Sequence, residues 1–213
     1  MKLLKFANSA ALNEFNLMPE HLKHTFGYQL FKGLFDELPI TTQKISAFNN
    51  ANVIEFRENL TGDVNKAIYT LISDNNICVL HCFTRKINST YSDIQTTIDL
   101  ITERIKISEN KIVESSGNVF ADIGLQNAEE IFLKAQMVHK IEQEIKKHNL
   151  TQAKAAKILE IPQPRVSQIV NGKFQDISEL KLMHCLNKLG YNINIQIEAL
   201  PHNAVGQISL TFA

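Results

Sequence analysis

The chain has 213 residues, 44% hydrophobic and 21% charged, with 22 basic and 22 acidic side chains. That balance excludes a disordered polyelectrolyte and a polycationic nucleic-acid coat, so contact with a polyanion must depend on local patches. Residues 1–110 carry 11 basic and 12 acidic side chains and the rest 11 and 10, so neither half stands out. The three cysteines, Cys78, Cys82 and Cys185, form no CxxC pair and no even framework. A reducing cytoplasmic setting is expected from this. The opening MKLLKF is interrupted by Asn8 and Ser9, so neither a signal peptide nor a membrane span is expected.

Residues 8–16 and 19–34 read as helices, the second carrying Leu22, Phe26, Leu30 and Leu34 four apart. Residues 52–57, 64–72 and 77–83 are rich in Val, Ile and aromatics and are separated by Gly62-Asp63 and by residues 73–76. They read as consecutive strands of an antiparallel meander. Residues 91–106 return to a helical period through Ile94, Ile98, Ile101 and Ile105. Together these make an α+β domain over residues 1–107, with Phe26, Phe31, Phe35 and Phe48 in its core.

Residues 108–117 are small and polar and read as a linker. Residues 118–213 then form a mainly α domain ending in a β-strand. Ile131, Ala135, Val138, Ile141 and Ile145 stripe a long helix whose end, Lys146-Lys147-His148, suits the helix dipole. Leu180, Met183, Leu186 and Leu189 stripe another, stopped by Gly190. Tyr191 to Ile197 alternates as a half-buried strand does. A strand is unstable alone, so this one is expected to pair with another chain, the first domain or the tail near Gln207 to Phe212.

Residues 149–173 read as a helix-turn-helix. Thr151 is an N-cap ahead of Ala155, Ala156 and Leu159, and Ile161 occupies the connector. Pro162 and Pro164 fall where a second helix starts and a missing N–H costs nothing. That helix buries Val166 and Ile169, turns Arg165, Ser167 and Gln168 outward, and stops at Asn171-Gly172. Gln and Arg on such a helix form bidentate bonds to adenine and guanine edges in the major groove. Base contacts are expected from Gln163, Arg165, Ser167 and Gln168, around Pro164. Phosphate contacts are expected from Lys154, Lys157 and Lys173, with Thr151 and Gln152 clamping the backbone. The alternative is a plain helical hairpin with a polar face.

The stretches NVFADIGL (118–125), LKAQMVHKI (133–141), LTQAKAAKIL (150–159), QPRVSQIVNGKF (163–174) and LGYNINIQI (189–197) resemble HigA-type antitoxins of the XRE helix-turn-helix class. One departure is Glu160, where that family usually has Gly between the two helices. GYQLFK (27–32), VIEFRE (53–58), GDVNKAIYTL (62–71) and VLHCFTRK (79–86) resemble HigB-type toxins of the RelE superfamily. Here the family has Arg at Lys66 and Lys-Lys at Arg85-Lys86. Charge survives at each position, but bidentate phosphate geometry at Lys66 does not.

The double resemblance implies a toxin and its antitoxin fused in one polypeptide, with a RelE-like fold in the first half. RelE-like enzymes cut mRNA on the ribosome without metal, the RNA's own 2′-hydroxyl attacking the phosphate. The protein then supplies charge stabilisation and proton transfer. Arg57, Lys66, Arg85 and Lys86 are candidates for the first task, His81 and Tyr69 for the second. Each has a plainer reading: a satisfied core histidine at His81, a surface ion pair at Arg57, a charged strand end at Arg85-Lys86, and packing at Tyr69. No metal and no cofactor are expected. The resemblance also implies a homodimer binding palindromic operator DNA as an autorepressor, and a toxin half neutralised within the chain or by exchange between chains. A competing reading has the toxin-like half inactive, as an interaction or sensing domain.

Overall fold

The computed structural model describes residues 2–38, 42–48, 51–59, 64–86, 91–108, 116–201 and 205–212. Within these, the side chains of residues 58–59, 64–67, 69, 84–86 and 91–93 fall outside the description. The chain divides into two compact units, Met1–Gln126 and Asn127–Ala213. Among the described residues no helix is long and apolar enough to cross a membrane.

The first unit runs β1 (Leu3–Phe6), α1 (Ser9–Asn16), α2 (Glu20–Gly33), β2 (Thr42–Lys44), β3 (Val53–Asn59), β4 (Val64–Ile72), β5 (Asn76–Lys86), α3 (Tyr91–Ser108) and α4 (Val119–Asp122). The strands form one sheet in the order β1-β5-β4-β3-β2. The β3-β4-β5 meander is antiparallel, as expected from three consecutive Val-, Ile- and aromatic-rich segments separated by short turns. Two short strands escape the sequence reading. β1 joins parallel to β5, making the sheet mixed, and the three-residue β2 pairs with β3 at the other edge.

β1 ends at Phe6, with the Ala7 N–H on the Val79 carbonyl at 3.0 Å as its last rung. Beyond that rung the polar groups of β5 are met by side chains. Arg104 Nη1 donates to the Leu80 carbonyl at 2.8 Å, and the Cys82 N–H donates to Glu14 Oε2 at 3.1 Å. An orphaned backbone group at a buried edge is costly, so α1 and α3 each supply what the missing strand would have given.

Ile98, Ile101 and Ile105 of α3 pack with Ala7, Phe48, Val53, Cys78 and Leu80. α2 is buried on every side from Thr25 to Gly33. Its expected stripe, Leu22, Phe26, Leu30 and Leu34, is at most 4% exposed. Each such side chain contributes about 1.5–3 kcal/mol by leaving water. At Gly33 an added Cβ would stand 2.6 Å from Ile77 Cδ1, so the helix approaches β5 as closely as it does only because no side chain intervenes. Phe35 departs from expectation. It lies beyond the end of α2, is 42% exposed, and sets its edge against Phe31 at 5.3 Å between centroids.

Residues 118–125 pack on the outer side of α2. Asn118 caps α4, its Oδ1 accepting from the Phe120 and Ala121 N–H groups at 3.0 and 3.4 Å. Phe120 and Ile123 are fully buried, and an added Cβ at Gly27 would meet Ile123 Cδ1 at 2.9 Å and Phe120 Cε1 at 3.1 Å.

The second unit contains α5 (Ala128–Lys147), α6 (Gln152–Leu159), α7 (Gln163–Val170) and α8 (Glu179–Lys188). Glu129 and Glu130 open α5 and Lys146 and Lys147 close it, each sign matching the helix dipole. α8 buries Leu182, Cys185 and Leu186, whereas Leu180 of the expected stripe is 63% exposed.

The expected terminal strand is absent: residues 191–201 carry no strand, and Ile195 and Ile197 are 75% and 92% exposed. Alternation supplies the side-chain pattern of a strand but not its ladder. No described segment pairs with this one, and a strand without partners leaves its amides to water. Its first residue is anchored: the Tyr191 hydroxyl donates to Glu144 Oε1 at 2.6 Å, and Lys140 Nζ lies 5.1 Å from the ring centroid.

Candidate nucleic-acid interface

The helix pair α6–α7 is set by its ends. Thr151 is extended and its hydroxyl accepts from the Lys154 N–H at 3.3 Å, starting α6. Glu160 ends it in the left-handed region, φ 54° and ψ 44°, the conformation a glycine would adopt without steric cost. Its carboxylate lies 2.7 Å from Lys188 Nζ, a hydrogen bond that holds it below the usual carboxylate range. Ile161 is buried in the connector. Pro162 then caps α7 and Pro164 occupies its first turn.

Val166 and Ile169 are fully buried, which fixes the rotation of α7 and directs the rest outward. Gln163 and Gln168 are exposed, Arg165 and Ser167 half-buried. Gln163 Nε2 donates to Gln152 Oε1 at 2.7 Å, tying the start of α7 to the start of α6. Arg165 Nη1 donates to Gln168 Oε1 at 2.9 Å. Asn171 Nδ2 donates to the Ser167 carbonyl at 2.8 Å, and Gly172 follows with φ 74°. Lys154, Lys157 and Lys173 are exposed on this unit. The result is a continuous amide, guanidinium and hydroxyl face on one short helix, the donor and acceptor chemistry that matches base edges.

In the first unit His81 is 16% exposed at its side chain and its Nδ1 lies 2.8 Å from Glu14 Oε2. Arg104 grips the same carboxylate with both terminal nitrogens, Nη1 to Oε2 at 2.8 Å and Nη2 to Oε1 at 2.7 Å. Burial alone would raise the Glu14 pKa, but hydrogen bonds from His81, Arg104 and the Cys82 N–H outweigh it and hold it at about 2. A carboxylate only accepts, so in this contact His81 Nδ1 is the donor to Glu14. Arg57 is also engaged: its Nε donates to the buried Glu55 at 2.6 Å.

The side chains of Lys66, Tyr69, Arg85 and Lys86 lie outside the described residues, and only their strand register is described. Lys66 stands opposite Glu58 and Thr84, Lys86 opposite Val64, Arg85 opposite Asn65, and Tyr69 opposite Glu55 and His81. Sequence reasoning missed Glu14 and Arg104. They sit 67 and 23 positions from His81 on two different helices, and no local pattern joins them. Among the described residues no three metal-ligating side chains gather. Burial pushes the Cys78 thiol up to about 11 and raises that of Cys82 further.

Residues 119–198 match the family described as a helix-turn-helix domain. The match begins at α4, which packs with the first unit, and continues through α8. The chain is also similar to a solved structure described as an XRE-family transcriptional regulator, with 35% identity, a TM-score of 0.39, and coverage of 41% of this chain and 100% of that one. No curated protein matches the chain.

Proposed function

We propose that the chain is an operator-binding repressor that acts on its own promoter, a reading supported by the match of residues 119–198 to the helix-turn-helix family. α7 enters the major groove, with Gln163, Arg165, Ser167 and Gln168 reading bases. Lys154, Lys157 and Lys173 neutralise phosphates, and Thr151 and Gln152 hold the backbone. The observation that carries this is the polar face of α7, fixed by the burial of Val166 and Ile169. Replacing Arg165 by Ala is expected to relax specificity and cost about 1–3 kcal/mol in operator affinity. Titration of the variant against promoter duplexes checks it, and unchanged affinity and specificity remove Arg165 from the reading surface.

The finer proposal is that the first unit is a RelE-like ribonuclease and the second its antitoxin, fused in a cytoplasmic chain that works as a homodimer. Fusion holds the partner at an effective concentration on the order of millimolar, so the nuclease is silent in the intact chain. Lys66, Arg85, Lys86 and Arg57 stabilise phosphate charge, and His81 and Tyr69 move protons, on mRNA at the ribosome. A second reading is favoured by the engagement of Arg57 with Glu55 and of His81 with Glu14. In it the toxin-like unit is catalytically silent and serves as an interaction or sensing domain. Expression of residues 1–106 alone separates the two: growth arrest with mRNA cleavage supports the nuclease, and harmless soluble expression supports the silent domain.

A further inference from the structure

We propose that residues 118–125 are a docking plug seated over Gly27 on α2, and that this plug, not the covalent connection at residues 109–115, holds the DNA-binding half to the N-terminal unit. The occupant is a segment of this chain, and its fit is built on both sides. α2 offers a notch at Gly27, where even a methyl group would collide with Ile123 Cδ1 at 2.9 Å and Phe120 Cε1 at 3.1 Å. The plug fills it with Phe120 and Ile123, both fully buried, and the Phe120 ring lies 6.2 Å from that of Phe31.

The plug is organised to enter this notch. Asn118 caps the short helix through two N–H groups. Gly124, at φ 68°, then turns the chain at a point where an added Cβ would be 3.5 Å from Asn16 Oδ1 of α1. The partners named here all belong to α1 and α2, while the chain leaving the plug runs on into α5. A break at 109–115 therefore leaves residues 116–213 attached through the plug. This holds whether or not the first unit cuts RNA.

The test uses the full-length chain with a protease recognition sequence set into residues 109–115, cleaved after folding and passed over a sizing column at a series of concentrations. The wild-type fragments are expected to co-elute, and the double variant Phe120→Ala, Ile123→Ala to separate. Gly27→Ala adds one methyl to the notch, and the concentration at which its fragments separate should rise about tenfold or more. Alanine favours a helix over glycine. Gly27→Ala therefore keeps α2 intact and decides the matter if the double variant does not fold. Wild-type fragments that part at every concentration overturn the proposal. So do Gly27→Ala fragments that hold together as well as the wild type.

Discussion

Gln163 and Gln152 meet across the turn between α6 and α7, the amide nitrogen of one donating to the amide oxygen of the other at 2.7 Å. Both stand at helix starts, and together they hold the first turn of the reading helix against the helix before it. In helix-turn-helix docking the start of the second helix carries base-contacting side chains, while the first crosses the backbone. The pair thus links a residue proposed for base contact to one proposed for backbone contact.

Gln152→Ala removes that link without touching a core side chain. The domain is expected to lose at most roughly 0.5–1.5 kcal/mol of stability, the net worth of one such hydrogen bond, and to stay folded, while operator affinity falls as α7 loses its support. Parallel duplex titration and calorimetry check it. A variant that binds as tightly as the wild type shows that the amide pair does not preorganise α7.

The Glu14 carboxylate is the shared acceptor of His81, Arg104 and the Cys82 N–H, with a pKa of about 2 against an ordinary 4.5. A depressed carboxylate contributes stability that is fully present above the unfolded value and is lost as pH falls through the folded value. The first unit is therefore expected to lose stability between about pH 4.5 and about pH 2, and Glu14→Gln to flatten that limb in acid denaturation. At neutral pH Glu14→Ala leaves Arg104, 6% exposed, without its counter-charge, and is expected to destabilise by about 3–5 kcal/mol.

Glu160 holds a left-handed conformation, φ 54°, that costs a residue with a Cβ roughly 1–2 kcal/mol. Its exposed contact with Lys188 returns little. Glu160→Gly relieves the strain, loosens the unfolded chain in compensation, and is expected to raise stability by about 0.5–1 kcal/mol. Chemical denaturation checks it. A loss of stability shows that the Lys188 contact outweighs the strain.

The sequence was most legible where local chemistry settles the structure. Thr151, Pro162, Gly172, Val166 and Ile169 define α6 and α7 by capping, breaking and periodicity, and each occupies the place these signals assign. The β3-β4-β5 meander was visible for the same reason. What stayed hidden depends on distant partners. β1 is a strand only because β5 offers an edge, and the second buried side of α2 is recognisable only once Phe120 and Ile123 lie over Gly27. Residues 191–197 failed in the opposite sense, since their alternation promised a strand and no described ladder receives it. Within the first unit, His81 and Arg57 were found by residue type. Glu55, two residues from Arg57, forms the ion pair that the sequence suggests, whereas Glu14 emerges only from the packing.

The central claim is that α7 reads DNA sequence. Selection of duplexes from a random pool by the purified full-length chain, followed by footprinting of the enriched sequences, tests it most directly. The expected result is a palindromic site with two half-sites about one helical turn apart, protected in the major groove and weakened by Arg165→Ala. A pool that emerges unenriched, with only weak and salt-sensitive binding to every duplex, would contradict it.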